Sequence, residues 1–120
     1  MKVVVTAQGQ DLEAMVDPRF GRCQYFLFID TESMRCEAEI NPARQAGAGA
    51  GIQAGQLVAD RGVEAVVTGN IGPNASRVLT GSGIKVYTGA AGTVGGALEK
   101  FKEGKLAQAG GPTVREHFGM

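Results

Sequence analysis

The chain has 120 residues, 43% of them apolar and 20% charged, with Lys+Arg and Asp+Glu both numbering 12. That is enough for one domain with its own core, and the balanced charge excludes a global field that would draw the chain to nucleic acid or an anionic membrane. No apolar run approaches the roughly 20 residues that span a bilayer, and the Val-Val-Val run after Met1-Lys2 is too short for a signal peptide, so the sequence reads as cytoplasmic.

Lys2 to Thr6 is a short β-branched run of the kind that fills a buried central strand. Ala7 to Val16 is polar and irregular, a loop leading into Asp17-Pro-Arg-Phe-Gly-Arg-Cys23. Gln24 to Asp30 is aromatic and β-branched, a second strand. Thr31 to Met34 reads as a turn. Arg35 to Asn41 alternates Cys36/Ala38/Ile40 with Glu37/Glu39/Asn41, a strand with one wetter face, hairpin-paired to its predecessor.

Asn41-Pro42 then breaks the strand pattern, and Gly47-Ala-Gly-Ala-Gly51 opens a helix to about Arg61 with Gly62 as its stop. Val63 to Thr68 is a third buried-type strand. Gly69-Asn-Ile-Gly-Pro-Asn74 turns into a short helix that ends at Gly81, and Ile84 to Tyr87 is a further strand. Thr93 caps a last helix whose Val94, Ala97, Leu98 and Phe101 follow helical spacing. Residues 1–106 read as the single domain, and 107–120, with no periodicity, as a flexible C-terminal tail.

The order β-β-β-α-β-α-β-α predicts an α/β fold: a five-stranded mixed sheet with helices on both faces, for which the ribonuclease H-like arrangement is the natural candidate. Nucleases of that fold hold metal ions on strand-borne carboxylates, and Lys2 to Thr6 carries none. Fold does not imply function.

Several constellations are candidates for chemistry. Cys23 lies beside Arg22 and near Arg19, whose charges would favour the thiolate; it is a cluster anchor, a nucleophile or simply a loop cysteine. A hairpin turning at Thr31 to Met34 sets Cys36 opposite Phe28 or Ile29, too far along the strand from Cys23 for a disulfide, which needs Cα atoms within ~7 Å. Cys36 reads as core. Arg19 and Arg22 can each fork an anion, or Arg19 can pair with Asp17 and fix the loop.

Gly49-x-Gly51-x-x-Ala54 is a weak match to the dinucleotide fingerprint, because no strand leads directly into its glycines. What it retains is a glycine-rich helix N-terminus able to present N–H groups to an anion, or a plain turn. Gly69, Asn70, Gly72 and Asn74, with Gly89-Ala-Ala-Gly92-Thr93 after the next strand, fall where an open α/β sheet collects ligands. Together these loops predict a shallow, donor-rich cup. His117, the only histidine, lies in the tail as a solvated residue or a mobile metal ligand.

Arg19-Phe-Gly-Arg-Cys23, Gly49-x-Gly51, Gly69-Asn-Ile-Gly-Pro-Asn-Ala75 and Val86-Tyr-x-Gly-Ala-x-Gly-Thr-Val94 occur in this order. With them the chain resembles, from about Lys2 to Leu106, the dinitrogenase iron–molybdenum cofactor biosynthesis domain family. The resemblance implies a ribonuclease H-like fold and non-catalytic binding of an iron–sulfur or molybdenum-containing cluster. The rim would be the cluster-holding cup: Arg19, Gly21, Arg22, Cys23, Gly49, Gly51, Gly69, Asn70, Gly72, Asn74, Gly92 and Thr93, with Cys23 or His117 as metal anchors.

The reading is therefore a carrier or scaffold for a metal–sulfur cluster or its precursor, working with a cluster-donor or acceptor protein. It is not an enzyme and does not bind nucleic acid or membrane. The alternatives are an enzyme or regulator that binds a small phosphorylated metabolite in the same cup, and an interaction module whose glycines serve only turns.

Overall fold

The computed structural model of the protein describes residues 1–45 and 49–114. Its elements are β1 (Lys2–Ala7), β2 (Tyr25–Asp30), β3 (Cys36–Ile40), α1 (Ala50–Asp60), β4 (Ala65–Val67), α2 (Pro73–Gly81), β5 (Lys85–Thr88), α3 (Val94–Lys102) and β6 (Ala107–Gln108). They form a mixed sheet in the order β3-β2-β1-β4-β5-β6. β1, β4 and β5 are mutually parallel, while β2 runs antiparallel to β1 and β3, and β6 antiparallel to β5.

The valine run becomes the centre of the sheet because both of its faces are covered. Val4 packs in the layer that contains Ala54 and Val58 of α1 and Ala75 and Leu79 of α2. Val3 and Val5 pack on the other face, with Val94, Ala97 and Leu98 of α3. All three valines are completely buried. Helices thus cover both faces, as alternating strand–helix grammar requires.

α1 and α2 pack closely. A Cβ at Gly55 would press within 3.0 Å of Val78, while one at Gly51 would make ordinary contact, 3.4 Å from the Ala75 backbone nitrogen. Gly51 of the would-be dinucleotide fingerprint is thus occupied in helix packing, and β3 ends at Ile40, well before α1 starts at Ala50. The match falls away on both counts.

Three expectations need correction. The sheet has six strands rather than five. The sixth comes from the segment expected as tail: Ala107 and Gln108 pair with Thr88 and Tyr87, and the chain continues against the protein as far as Val114. The third concerns β3, where the apolar side of the alternation is the more open one, with Ile40 69% exposed. Arg61, just past α1, lies over the Phe28 ring at 4.1 Å and pairs with Glu37 and Glu39. That draws the glutamate side of β3 toward α1 and leaves Ala38 and Ile40 facing outward.

Candidate functional site

At the carboxyl ends of β1, β3, β4 and β5 four loops meet, and backbone contacts bind them together. The segment after β1 folds back on its own strand: Asp17 N–H donates to Thr6 O at 2.9 Å. Thr6 Oγ1 donates to Asp17 O at 2.7 Å, so the neighbouring Thr68 hydroxyl, 2.8 Å away, donates to Thr6. Both threonines are fully buried, and the hydroxyl chain ties this loop to β1 and to the end of β4.

Asp17 is the buried charge of the site, with no exposure. Its Oδ1 accepts from the backbone N–H of Arg19 at 3.1 Å and from Arg19 Nε at 3.2 Å, and its Oδ2 accepts from Nη2 at 3.4 Å. Of the two roles open to Arg19 in the sequence, pairing with Asp17 is realised. The carboxylate fixes the guanidinium at the rim, where Arg19 also bridges to Asn70. The Asn70 N–H donates to Pro18 O at 2.8 Å. This crossing explains Gly69: a Cβ there would lie 2.7 Å from Pro18 Cα, so only glycine lets the two loops touch.

Gly21 approaches α1 in the same manner, with a would-be Cβ 3.3 Å from the Gly51 backbone. The Arg22 guanidinium donates to Arg44 O at 3.1 Å, reaching the segment that leads into α1. Asn41, at the end of β3, was read in the sequence only as a strand breaker. It is buried, and its Nδ2 donates to Gly21 O and Cys23 O at 3.1 Å, while its Oδ1 accepts from Ala43 N–H at 2.9 Å. One amide therefore joins the arginine loop to the approach to α1. The signal in the sequence was an asparagine placed to make an Asx turn.

Cys23 departs from expectation. It is completely buried among Val4, Phe20, Phe26 and Ala43, with Asn41 Nδ2 3.7 Å from its Sγ. Burial, and secondarily the charge of Asp17, push its pKa well above the usual thiol range, outweighing the Asn41 bond and the Arg19 charge. It is a core thiol whose surroundings favour the protonated form. Cys36 pairs with Ile29, as the hairpin spacing predicts. Both cysteines are free, and burial also raises the Cys36 thiol.

The three helix N-termini differ. α1 starts after Gly49 and α2 after Gly72 with Pro73 at its first position; neither has a described side-chain cap or an acid in its first turn. They are neighbours, since Gly51 of α1 faces Asn74 and Ala75 of α2. Both present the positive end of a helix dipole to the rim. Asn74 itself accepts from Arg77 through its side-chain oxygen.

α3 is closed. Val94 N–H donates to Ala14 O and Gly95 N–H to Leu12 O, both at 2.8 Å, and Gly96 N–H donates to Thr93 Oγ1 at 3.1 Å. Gly92 O accepts from Val16 N–H. Thr93 caps the helix as the sequence predicts, so Gly92 and Thr93 are at the correct edge of the sheet but are spent on holding the 8–16 loop.

Of the residues expected in a cup, the structure brings Arg19, Gly21, Arg22, Gly49, Gly51, Gly69, Asn70, Gly72 and Asn74 to one rim, with Cys23 buried beneath them. His117 lies outside the described residues. Among the described residues no group of three or more His, Cys, Asp or Glu is placed to hold a metal ion, and no helix is long and apolar enough to cross a membrane. The donors gathered at this rim are backbone N–H groups and guanidiniums, which suit an anion.

Residues 1–104 match the profile of the dinitrogenase iron–molybdenum cofactor family. The chain is similar to the apo form of the orange protein from Desulfovibrio gigas, with a TM-score of 0.90 and 38% identity, over 94% of this chain and 96% of that one. It is similar to a NifB-like protein from Thermotoga, with a TM-score of 0.78 and 38% identity over 89% and 91% of the two chains. An uncharacterised protein of Methanocaldococcus jannaschii is 36% identical over 94 residues, 76% of this chain and 80% of that one.

Proposed function

The chain belongs to the dinitrogenase iron–molybdenum cofactor family, and on that premise we propose that it binds and carries an anionic metal–sulfur cluster or its precursor, without catalysing a reaction. The cargo is of iron–sulfur or iron–molybdenum type and is received from, or passed to, a partner protein in the cytoplasm. The β3-β2-β1-β4-β5 order supports a ribonuclease H-like core to which β6 is added.

The observation that carries this reading is the pair of adjacent helix N-termini, α1 and α2, without an acid in either first turn and flanked by Arg19 and Arg22. Their dipoles and N–H groups favour negative charge, and a guanidinium offers planar donors to sulfide or oxo edges. A chain of zero net charge can select an anion only through such a local arrangement. An apo form among the similar structures agrees with a protein that has a ligand to lose. Cys23 contributes from below by supporting the arginine loop, and the cluster keeps its own sulfides as ligands.

The test is anaerobic purification from the native host with elemental analysis and a visible spectrum, followed by titration of the metal-free chain with tetrathiomolybdate, a simple molybdenum–sulfur dianion. Iron or molybdenum with sulfide, weakened on Arg22→Ala, is the expected result. A colourless, metal-free protein that also refuses reconstituted cluster and tetrathiomolybdate would overturn the reading.

A further inference from the structure

The family match stops at residue 104, but the chain beyond it returns to the cup. After β6, Ala109 N–H donates to Val86 O at 2.8 Å, the last bond to the sheet. The Gly110-Gly111-Pro112 stretch then arches away, and a cavity of about 340 Å³ opens beneath it, lined by Ser76, Thr80, Ile84, Val86, Gly110 and Gly111 among others. The strap lands again at Thr113. Thr113 N–H donates to Ile71 O at 2.8 Å, Ile71 N–H donates to Thr113 Oγ1 at 2.8 Å, and Val114 N–H donates to Ile71 O at 3.1 Å. The Thr113 hydroxyl, 3.3 Å from Ile71 O, returns its own proton to it.

Both backbone polar groups of Ile71 are thereby held by one threonine. Ile71 sits between Asn70, which is fixed to Pro18, and Gly72, the N-cap of α2. Its side chain is 1% exposed in the core beneath α1 and α2, so the residue is gripped from both sides. The loop that carries the α2 N-terminus is consequently set by four attachments: Gly89, whose N–H donates to Gly69 O at 3.0 Å, Pro18, the core and Thr113. The first three lie within the family match. The fourth does not.

We propose that Thr113 is a positioning residue of the cup, and that the strap 107–114 belongs to the ligand-binding unit because it fixes the Gly69–Asn74 loop through Ile71. The inference rests on the anionic-cluster reading above. Its physical content is pre-organisation: a loop already held in its binding shape loses less freedom when the ligand arrives. Coupling between sites is reciprocal, so an occupied cup holds the strap more firmly.

The experiment compares tetrathiomolybdate binding by the full chain, Thr113→Val and Thr113→Ser, with amide exchange at Ile71 followed in the same samples. Valine keeps the shape and removes both hydroxyl bonds; serine restores them. Loss of a part-buried hydrogen bond that sets the loop predicts about a tenfold weaker dissociation constant for Thr113→Val, recovered in Thr113→Ser. In the wild-type chain, saturating probe should also slow exchange at Ile71.

Equal affinity for wild type and Thr113→Val, with Ile71 exchanging faster in the variant, would overturn this inference and leave the functional reading intact. Unchanged Ile71 exchange on saturation of the wild type would overturn it as well. If the wild type is metal-free as purified and binds neither the probe nor reconstituted cluster, the functional reading falls and takes this inference with it. Ile71 exchange in the unliganded chains still reports the clasp, so that failure is distinct from the other two.

Discussion

Replacing Cys23 with alanine separates what the cysteine looks like in the sequence from what it does in the fold. The side chain is fully buried in the layer under α1, so removing its sulfur leaves a small void with no water to fill it. The transfer loss of about one methylene plus the cavity gives roughly 1–2 kcal/mol, which for a chain of this size lowers Tm by about 4–10 °C.

The thiol's raised pKa adds a pH signature. The folded state favours the protonated form, so stability is full below the unfolded thiol value of about 8.5. As pH rises from there toward the folded value, the unfolded chain sheds its proton first and stability falls, by up to ~1.4 kcal/mol per pH unit. Cys23→Ala should flatten most of that alkaline slope and leave the smaller part that Cys36 contributes, since its pKa is raised too.

The assays are urea unfolding from pH 7 to 10 and thiol titration with a chromogenic disulfide. In the folded wild type one thiol should react readily, the half-buried Cys36, and the other only at the rate of unfolding. Binding of tetrathiomolybdate by Cys23→Ala should stay within a fewfold of wild type. An unchanged Tm together with complete loss of metal binding would refute this reasoning and make Cys23 a direct ligand.

Asp17→Asn should lower stability by about 1.5–3 kcal/mol, the range for charge-assisted bonds, as read by urea denaturation. The cost stays below that of stranding a fully buried charge because the Arg19 side chain is 30% exposed. Gly69→Ala forces a methyl to within 2.7 Å of Pro18 Cα, and should cost about 1–3 kcal/mol or more while speeding exchange of the Asn70 amide; a neutral effect would show that the loops part easily. Arg61→Ala removes two ion pairs and a cation–π contact, together about 1–2 kcal/mol. Part of that difference should vanish in 1 M salt, where surface pairs are screened, and a salt-independent difference would assign it to packing.

The alternating grammar was legible. The valine run, the hairpin, the Thr93 cap and the glycine stops each have a local cause, and each lies within a residue or two of its expected place. β6 was not legible, because a two-residue edge strand carries no periodicity and exists only through its pairing with β5. The polarity of β3 was misread for a related reason: alternation marks two faces, and which one is covered depends on Arg61, distant in sequence. At the rim, the glycine loops that the sequence grouped together do meet, but the sequence assigned Cys23 by its neighbours along the chain. In space, Arg22 points to Arg44 and Asp17 is among the groups that surround the thiol. Asn41 and Thr113 hold loops through long-range backbone contacts, which leave no spacing rule behind.

The closing of α3 supports placing the proposed cup on the α1–α2 side of the sheet. An open α/β sheet offers a rim at the carboxyl ends of its strands, and three helices begin there. If all three N-termini were open, an anion would have alternative sites on opposite faces. The loop from Gln8 to Val16 removes one of them by placing Leu12 and Ala14 carbonyls on the first turn of α3, which neutralises the dipole end that Thr93 also caps. The same loop then continues into Asp17 and Arg19, which stand at the rim where the proposed cup lies over α1 and α2. One segment thus closes α3 and supplies an arginine to the proposed site. Its irregular, polar composition follows from that double duty: its backbone must donate on one side, accept on the other and still turn sharply into the arginines.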